Sequence, residues 1–353
     1  MMILFRADGN PDIGTGHIMR CLSLADALRE QDQEITFITA EPYFQRLVET
    51  RGYPCTVLGT AYDRMEEELS IFLPIIERER PELVILDSYF VTSQYMEAIR
   101  NISRLLYIDD LNAFDYPADA VVNYNIYGPE LPYPQNKTYF LGPQYAPLRK
   151  EFQGLSQRNT KDRVENVLVS TGGTDQYHVA LHCAEYLREH LPRENMIFHF
   201  VLGAMNRDIV QLEQIAKDFS FIKLHRQVTD MCSLMLQCDA AISAAGTTLY
   251  ELCACGLPTV TYILADNQIQ GAQMFQKAGL MPCAGDIRED ACFLERLFEL
   301  LNSLADDFAQ RQRIAEQMQG AVDGRGAARL AEAILKQSGN TENIDLHLEA
   351  GNG

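Results

Sequence analysis

Short apolar runs alternate with longer stretches of helical periodicity, and they do so twice along the chain, a pattern that calls for βαβ units and parallel sheets. In the first half the spacing predicts strands over residues 3–7, 35–39, 56–58, 83–87, 105–109 and 120–123, with helices over 18–29, 43–50, 64–78 and 93–101. A second series starts with 166–170 and continues through 197–202, 221–224, 240–243 and 259–263. Between Tyr124 and Gln157 the pattern fails, because prolines 129, 132, 134, 143 and 147 interrupt it. The expected layout is an α/β chain of two doubly wound, Rossmann-like domains, residues 1–145 and 161–337, joined by a hinge at 146–160 and followed by a polar tail at 338–353. Two such domains facing each other leave a cleft at the carboxyl edges of their sheets, where ligands of open α/β folds collect.

Composition narrows the partners. The formal charge is −19, from 30 basic and 49 acidic residues, which repels nucleic acid and anionic membrane surfaces. Any anionic ligand must be held by local groups. The nine cysteines show no repeated spacing, and Cys253 and Cys255 lack a second pair to complete a zinc site, so free thiols in a reducing cytoplasm are expected. Neither a signal peptide nor an apolar stretch of about eighteen residues occurs, so no membrane insertion is expected.

Four elements carry candidate chemistry. The first strand leads into Ile13-Gly14-Thr15-Gly16-His17-Ile18-Met19-Arg20, where Gly14 and Gly16 allow a tight turn and a helix begins beside His17. The positive end of that helix lies next to the imidazole, and a neutral histidine there can accept a proton. Taken alone, the same residues also fit a simple helix cap. The second element is Ser170-Thr171-Gly172-Gly173-Thr174-Asp175, in which Gly173 and Thr174 fit either one wall of a phosphate site or a capped turn. In the third, a strand ends in Ser243-Ala244-Ala245-Gly246-Thr247-Thr248, and the amides and hydroxyls of the following helix start suit an anion; one turn on, Glu251 is spaced to accept two ribose hydroxyls. The fourth, Asp266-Asn267-Gln268 after a strand, is a cap or a ligand contact. No Asp-X-Asp triplet, His-Glu-X-X-His helix or Gly-X-Ser-X-Gly elbow is present, and no metal or cofactor is expected.

Together these motifs, with the stretch 142–152, resemble the UDP-sugar hydrolases of pseudaminic acid biosynthesis, which are related to MurG-like glycosyltransferases of the GT-B fold. The resemblance runs from Met2 to the last predicted helix. It implies a GT-B-like architecture and a metal-independent hydrolysis of a UDP-2,4-diacetamido-2,4,6-trideoxyhexose to UDP and free sugar. In that reading His17 activates water at the anomeric carbon, with inversion and C–O cleavage. The substrate contacts it implies are Gly14, Gly16, Arg20, Tyr89, Gly173, Thr174, Ala245, Gly246, Thr247, Thr248, Glu251 and Asn267. The implied partners are a UDP-sugar and UDP, and the chain is expected to be a monomer or weak dimer. The alternative is a GT-B glycosyltransferase that passes a UDP-activated amino sugar to an acceptor; a hydrolysing epimerase and a silent UDP-sugar binder are further readings.

Overall fold

The computed structural model describes residues 1–173, 175–190, 196–203, 206–290 and 292–348, with side chains through residue 337. It divides into two compact units, one made of Met1–Arg149 and the chain from Arg325 onward, the other of Lys150–Gly324.

The first unit runs β1 (Met2–Ala7), α1 (Gly16–Arg29), β2 (Glu34–Thr39), α2 (Gln45–Thr50), β3 (Cys55–Val57), α3 (Met65–Glu79), β4 (Leu83–Asp87), α4 (Ser93–Arg100), β5 (Arg104–Ile108), β6 (Ala120–Asn123) and β7 (Thr138–Leu141). Among the described residues its sheet has seven parallel strands in the order β3-β2-β1-β4-β5-β6-β7. Every residue of β4 is buried, as a parallel strand covered by helices on both faces requires. One core, which includes Leu4, Phe72, Ile76, Leu86, Ile99 and Val121, joins the sheet to α3 and α4.

A charged residue interrupts the apolar rule in the inner strand β1. Arg6 is fully buried, and its guanidinium donates to Glu68 of α3 at 2.7 and 2.7 Å and to Asp8 at 2.5 Å. The Tyr95 hydroxyl of α4 adds a bond to Glu68 at 2.6 Å. Such burial is tolerable because every charge has a partner. The other Asp8 oxygen accepts from the Ala40 amide at 2.7 Å and ties the ends of β1 and β2 together.

The second unit runs β8 (Asn166–Ser170), α5 (Val179–Glu189), β9 (Ile197–Leu202), α6 (Ile209–Asp218), β10 (Ile222–Arg226), α7 (Met231–Gln237), β11 (Ala240–Ala244), α8 (Thr248–Ala254), β12 (Thr259–Ile263), α9 (Asp266–Lys277), β13 (Cys283–Asp286), α10 (Phe293–Asp306) and α11 (Phe308–Ala321). Its described strands form a parallel sheet in the order β10-β9-β8-β11-β12-β13. Each sheet therefore reverses its strand order once, between β1 and β4 and between β8 and β11. Doubly wound sheets bind ligands at the carboxyl edge of such reversals.

The structure departs from the sequence reading at the edges. The proline-rich stretch holds the edge strand β7, whose apolar run of three residues was too short to stand out from loop. Strand β13 at the other sheet's edge was missed likewise. The final helix α12 (Gly326–Leu348) belongs to the first unit and not to a second domain ending at residue 337, and it carries the expected polar tail as helix as far as Leu348. It packs on α1, and Arg329 donates to the Gln144 carbonyl. A Cβ on Gly326 would lie 2.1 Å from the Ala146 carbonyl oxygen, so the chain approaches there backbone to backbone. Gly326→Ala should therefore destabilise the first unit by about 2–3 kcal/mol in urea unfolding; an unchanged midpoint would contradict this docking of α12.

Candidate active site

The loop after β1 is built by Asn10. Its backbone bridges Gly14 through bonds of 3.2 and 2.8 Å, and its side-chain oxygen accepts from the Asp12 and Ile13 amides at 2.9 and 3.0 Å. Gly14 takes a positive φ of 74°, which glycine adopts without strain, and the chain enters α1 at Gly16. Thr15 at the helix start makes no side-chain capping bond. His17 is not bonded to a neighbouring carbonyl, as the simple capping reading requires; its Nδ1 lies 2.6 Å from Asp87 Oδ1, at the end of β4. An ionised carboxylate can only accept, so Nδ1 carries the proton and Nε2 of the neutral ring keeps its lone pair.

Asp87 has a second claimant. Arg20, one turn along α1 from His17, donates to both Asp87 oxygens at 2.6 Å each. Burial pushes the Asp87 carboxyl up, but the charge of Arg20 and the hydrogen bonds from Arg20 and His17 outweigh it and hold the group below the usual carboxylate range. The remaining Arg20 nitrogen donates to both oxygens of Asp110 at 3.1 and 2.9 Å and to the Tyr124 hydroxyl at 2.8 Å. Asp110 also accepts from the Tyr89 hydroxyl and the Asn125 amide, each at 2.8 Å. The Tyr89 ring stands edge-on to the His17 imidazole, centroids 4.5 Å apart. Loops after β1, β4 and β5 thus converge at the first reversal point.

The structure brings His17, Arg20 and Tyr89 into one network, with Gly14 and Gly16 shaping the loop that delivers His17. Arg20 was expected to touch substrate; it is buried and committed to two carboxylates, so it holds Asp87 and His17 in place. Sequence reasoning passed over Asp87 and Asp110. Their signal was an acidic residue closing β4 and an acidic pair just after β5, and it acquires meaning only when the topology sets β4 beside both β1 and β5. Outside the network Tyr62 and Phe90 stand in a T-shaped contact at 5.3 Å, and Tyr43 and Leu111 are exposed.

In the second unit the turns after β8 and β11 flank the other reversal point. Among the described residues, a Cβ on Gly172 or Gly173 would meet nothing within 4 Å. Asp175 accepts from the Val179 and Ala180 amides at 2.8 and 3.0 Å and so caps α5; burial raises its carboxyl. Thr174 lies outside the described residues. After β11, Ala245 is buried with its amide bonded to the Tyr262 carbonyl at 2.8 Å, while Thr247 is exposed and Thr248 begins α8 half-buried. Glu251 is half-buried one turn further, and Asn267 is exposed at the second position of α9, after the next strand, β12. Among the described residues no helix is long and apolar enough to cross a membrane.

No family model matches the chain. It is 29% identical over 288 residues to an uncharacterized protein of Methanocaldococcus jannaschii, covering 76% of this chain and 57% of that relative. It is 25% identical over 288 residues to the UDP-2,4-diacetamido-2,4,6-trideoxy-β-L-altropyranose hydrolase of Campylobacter jejuni, covering 79% of this chain and 97% of the other. This similarity supports the resemblance read from the motifs. A UDP-N-acetylglucosamine–N-acetylmuramyl-(pentapeptide) pyrophosphoryl-undecaprenol N-acetylglucosamine transferase of Acidithiobacillus ferrooxidans is also similar, 25% identical over 93% of this chain and 96% of its own length. The crystal structure of Acinetobacter baumannii MurG superposes with a TM-score of 0.68 at 14% identity, covering 95% of this chain and 99% of that one. The chain has the GT-B fold.

The buried ion pair sets a pH signature. A depressed Asp87 carboxyl contributes stability that is present above the ordinary aspartate value of 3.8 and is lost as the pH falls below it. Asp87→Asn should therefore lower the urea midpoint at neutral pH and flatten its fall below about pH 4. A wild-type profile in the variant would contradict the ion pairing.

Proposed function

We propose that the chain hydrolyses a UDP-activated 2,4-diacetamido-2,4,6-trideoxyhexose to UDP and the free sugar, a step of pseudaminic acid biosynthesis. One observation carries the reading: a buried imidazole whose Nδ1 is held by Asp87, so that Nε2 is left as a base, in a chain similar to a hydrolase of such a sugar nucleotide. Water attacks the anomeric carbon and gives its proton to His17 Nε2. As the new C–O bond forms, the bond from the anomeric carbon to the diphosphate breaks, and its electron pair leaves with UDP. Attack from the face opposite the leaving group inverts the anomeric configuration. UDP is a good leaving group, so the pair of carboxylates used in ordinary glycoside hydrolysis is not needed.

In this reading the second unit takes the nucleotide. The turn at Gly246, Thr247 and Thr248, with Ala245 before it and Gly173 across the reversal point, receives the diphosphate; Thr174 is assigned to the same ligand from its sequence motif, and Glu251 receives the ribose hydroxyls. Tyr89 and Asn267 face the sugar. The chemistry uses no metal or cofactor, and the enzyme works in the cytoplasm as a monomer or weak dimer.

A glycosyltransferase is the second reading, favoured by the similarity to the Acidithiobacillus transferase and by the shared fold. The two differ in the acceptor, so UDP release from a panel of UDP-diacetamido and UDP-N-acetyl sugars with no acceptor present separates them. Release from a UDP-diacetamido sugar is expected; release that requires an added acceptor would transfer the chain to the second reading. In oxygen-18 water the label should enter the sugar, and label in UDP would rule out attack at carbon. His17→Asn should still bind UDP but lose turnover about a hundredfold or more; near-normal turnover would remove His17 from the chemistry.

A further inference from the structure

The turn after β8 holds a second histidine–aspartate pair that the proposed reaction does not use. His178 Nδ1 lies 2.7 Å from Asp208 Oδ2; the Asp208 side chain is 7% exposed and the imidazole 47%. Both residues stand at helix starts, His178 before α5 and Asp208 before α6, yet neither side chain makes a capping bond. The first amides of α5 are already bonded to Asp175, so neither an imidazole nor a further carboxylate is needed to finish that helix. The buried Asp208 instead aims a half-exposed imidazole. With Nδ1 turned to the carboxylate, Nε2 points the opposite way, and among the described residues it makes no hydrogen bond.

The surroundings fix where this group sits. The loop after β9 lies backbone to backbone on the glycine turn after β8, since a Cβ on Gly203 would be 2.2 Å from the Gly173 carbonyl oxygen. Asn206 in that loop donates to Asp175 at 3.2 Å and accepts from the Asp208 amide at 2.9 Å, which joins the two loops through side chains as well. The strand order β9-β8-β11 then sets the dyad on the carboxyl edge beside the turn assigned above to the diphosphate.

We propose that His178, oriented by Asp208, is a phosphate-binding residue that donates from Nε2 to the diphosphate of the nucleotide. This rests on the reading of the second unit as the UDP side. With a proton on each ring nitrogen, the imidazole donates to Asp208 through Nδ1 and to a phosphate oxygen through Nε2. It supplies a local positive group on a chain of net charge −19. Asp175 already takes the Val179 and Ala180 amides at the start of α5, and the imidazole adds a side-chain donor on this side.

The test uses the full chain and two ligands, UDP by calorimetry and uridine by NMR titration. His178→Gly removes the imidazole and places glycine at a backbone φ of 55°, a left-handed conformation that suits it, and urea unfolding of the variant confirms that it is folded before binding is read. UDP affinity should fall about tenfold while uridine affinity stays within twofold, and Asp208→Asn should lose part of the same increment. Equal loss of UDP and uridine, or wild-type UDP affinity in both variants, would overturn the role of His178. A wild-type chain that binds no UDP would instead overturn the nucleotide reading, and this assignment with it.

Discussion

The ionised carboxylate of Asp87, buried at the end of β4 and shared between Arg20 and His17, is the constraint on which the rest of the first unit's site depends. Taking that charge out of water costs several kcal/mol, and only close, geometrically matched partners offset it. Arg20 supplies two of them. Once it has done so, its remaining nitrogen must also be satisfied, and Asp110 and Tyr124 do this, which brings the loop after β5 into the site and Tyr89 with it. A chain of obligations that starts from one desolvated carboxylate therefore positions the histidine, its neighbouring tyrosine and three loops.

The two units solve a similar problem with different means. Both sheets reverse their strand order once, and both place their polar groups at the carboxyl edge of that reversal. In the first unit the groups are paired charges locked among themselves, suited to holding one base in one orientation. In the second they are glycine turns, threonines and a half-exposed imidazole, which leave room and donors for an anion. Asp175 shows how local chemistry modifies the general rule that helix starts bind phosphate: its carboxylate already takes the Val179 and Ala180 amides at the start of α5.

Much of this was legible in the sequence for a physical reason. Parallel strands buried on both faces appear as uninterrupted apolar runs, so β1, β4, β8, β11 and β12 stood out, and with them the turns that follow. Edge strands carry less of that signal, which is why β7 and β13 were passed over. The destination of α12 was not readable, since its docking depends on a glycine meeting the Ala146 carbonyl some 180 residues earlier. His17 was found because glycines mark its turn. Asp87 was not, because an aspartate 70 residues away gains its meaning from strand order and not from any local pattern.

Asp87 fixes the His17 ring with its proton on Nδ1. Nitrogen-15 NMR of the imidazole, assigned through a His17→Gln variant, reads this directly. In the neutral ring Nδ1 should give a protonated, pyrrole-like shift and Nε2 an unprotonated, pyridine-like one, and Asp87→Asn should remove that preference. A neutral ring protonated on Nε2 would contradict the claim and leave His17 without the lone pair that attack by water requires.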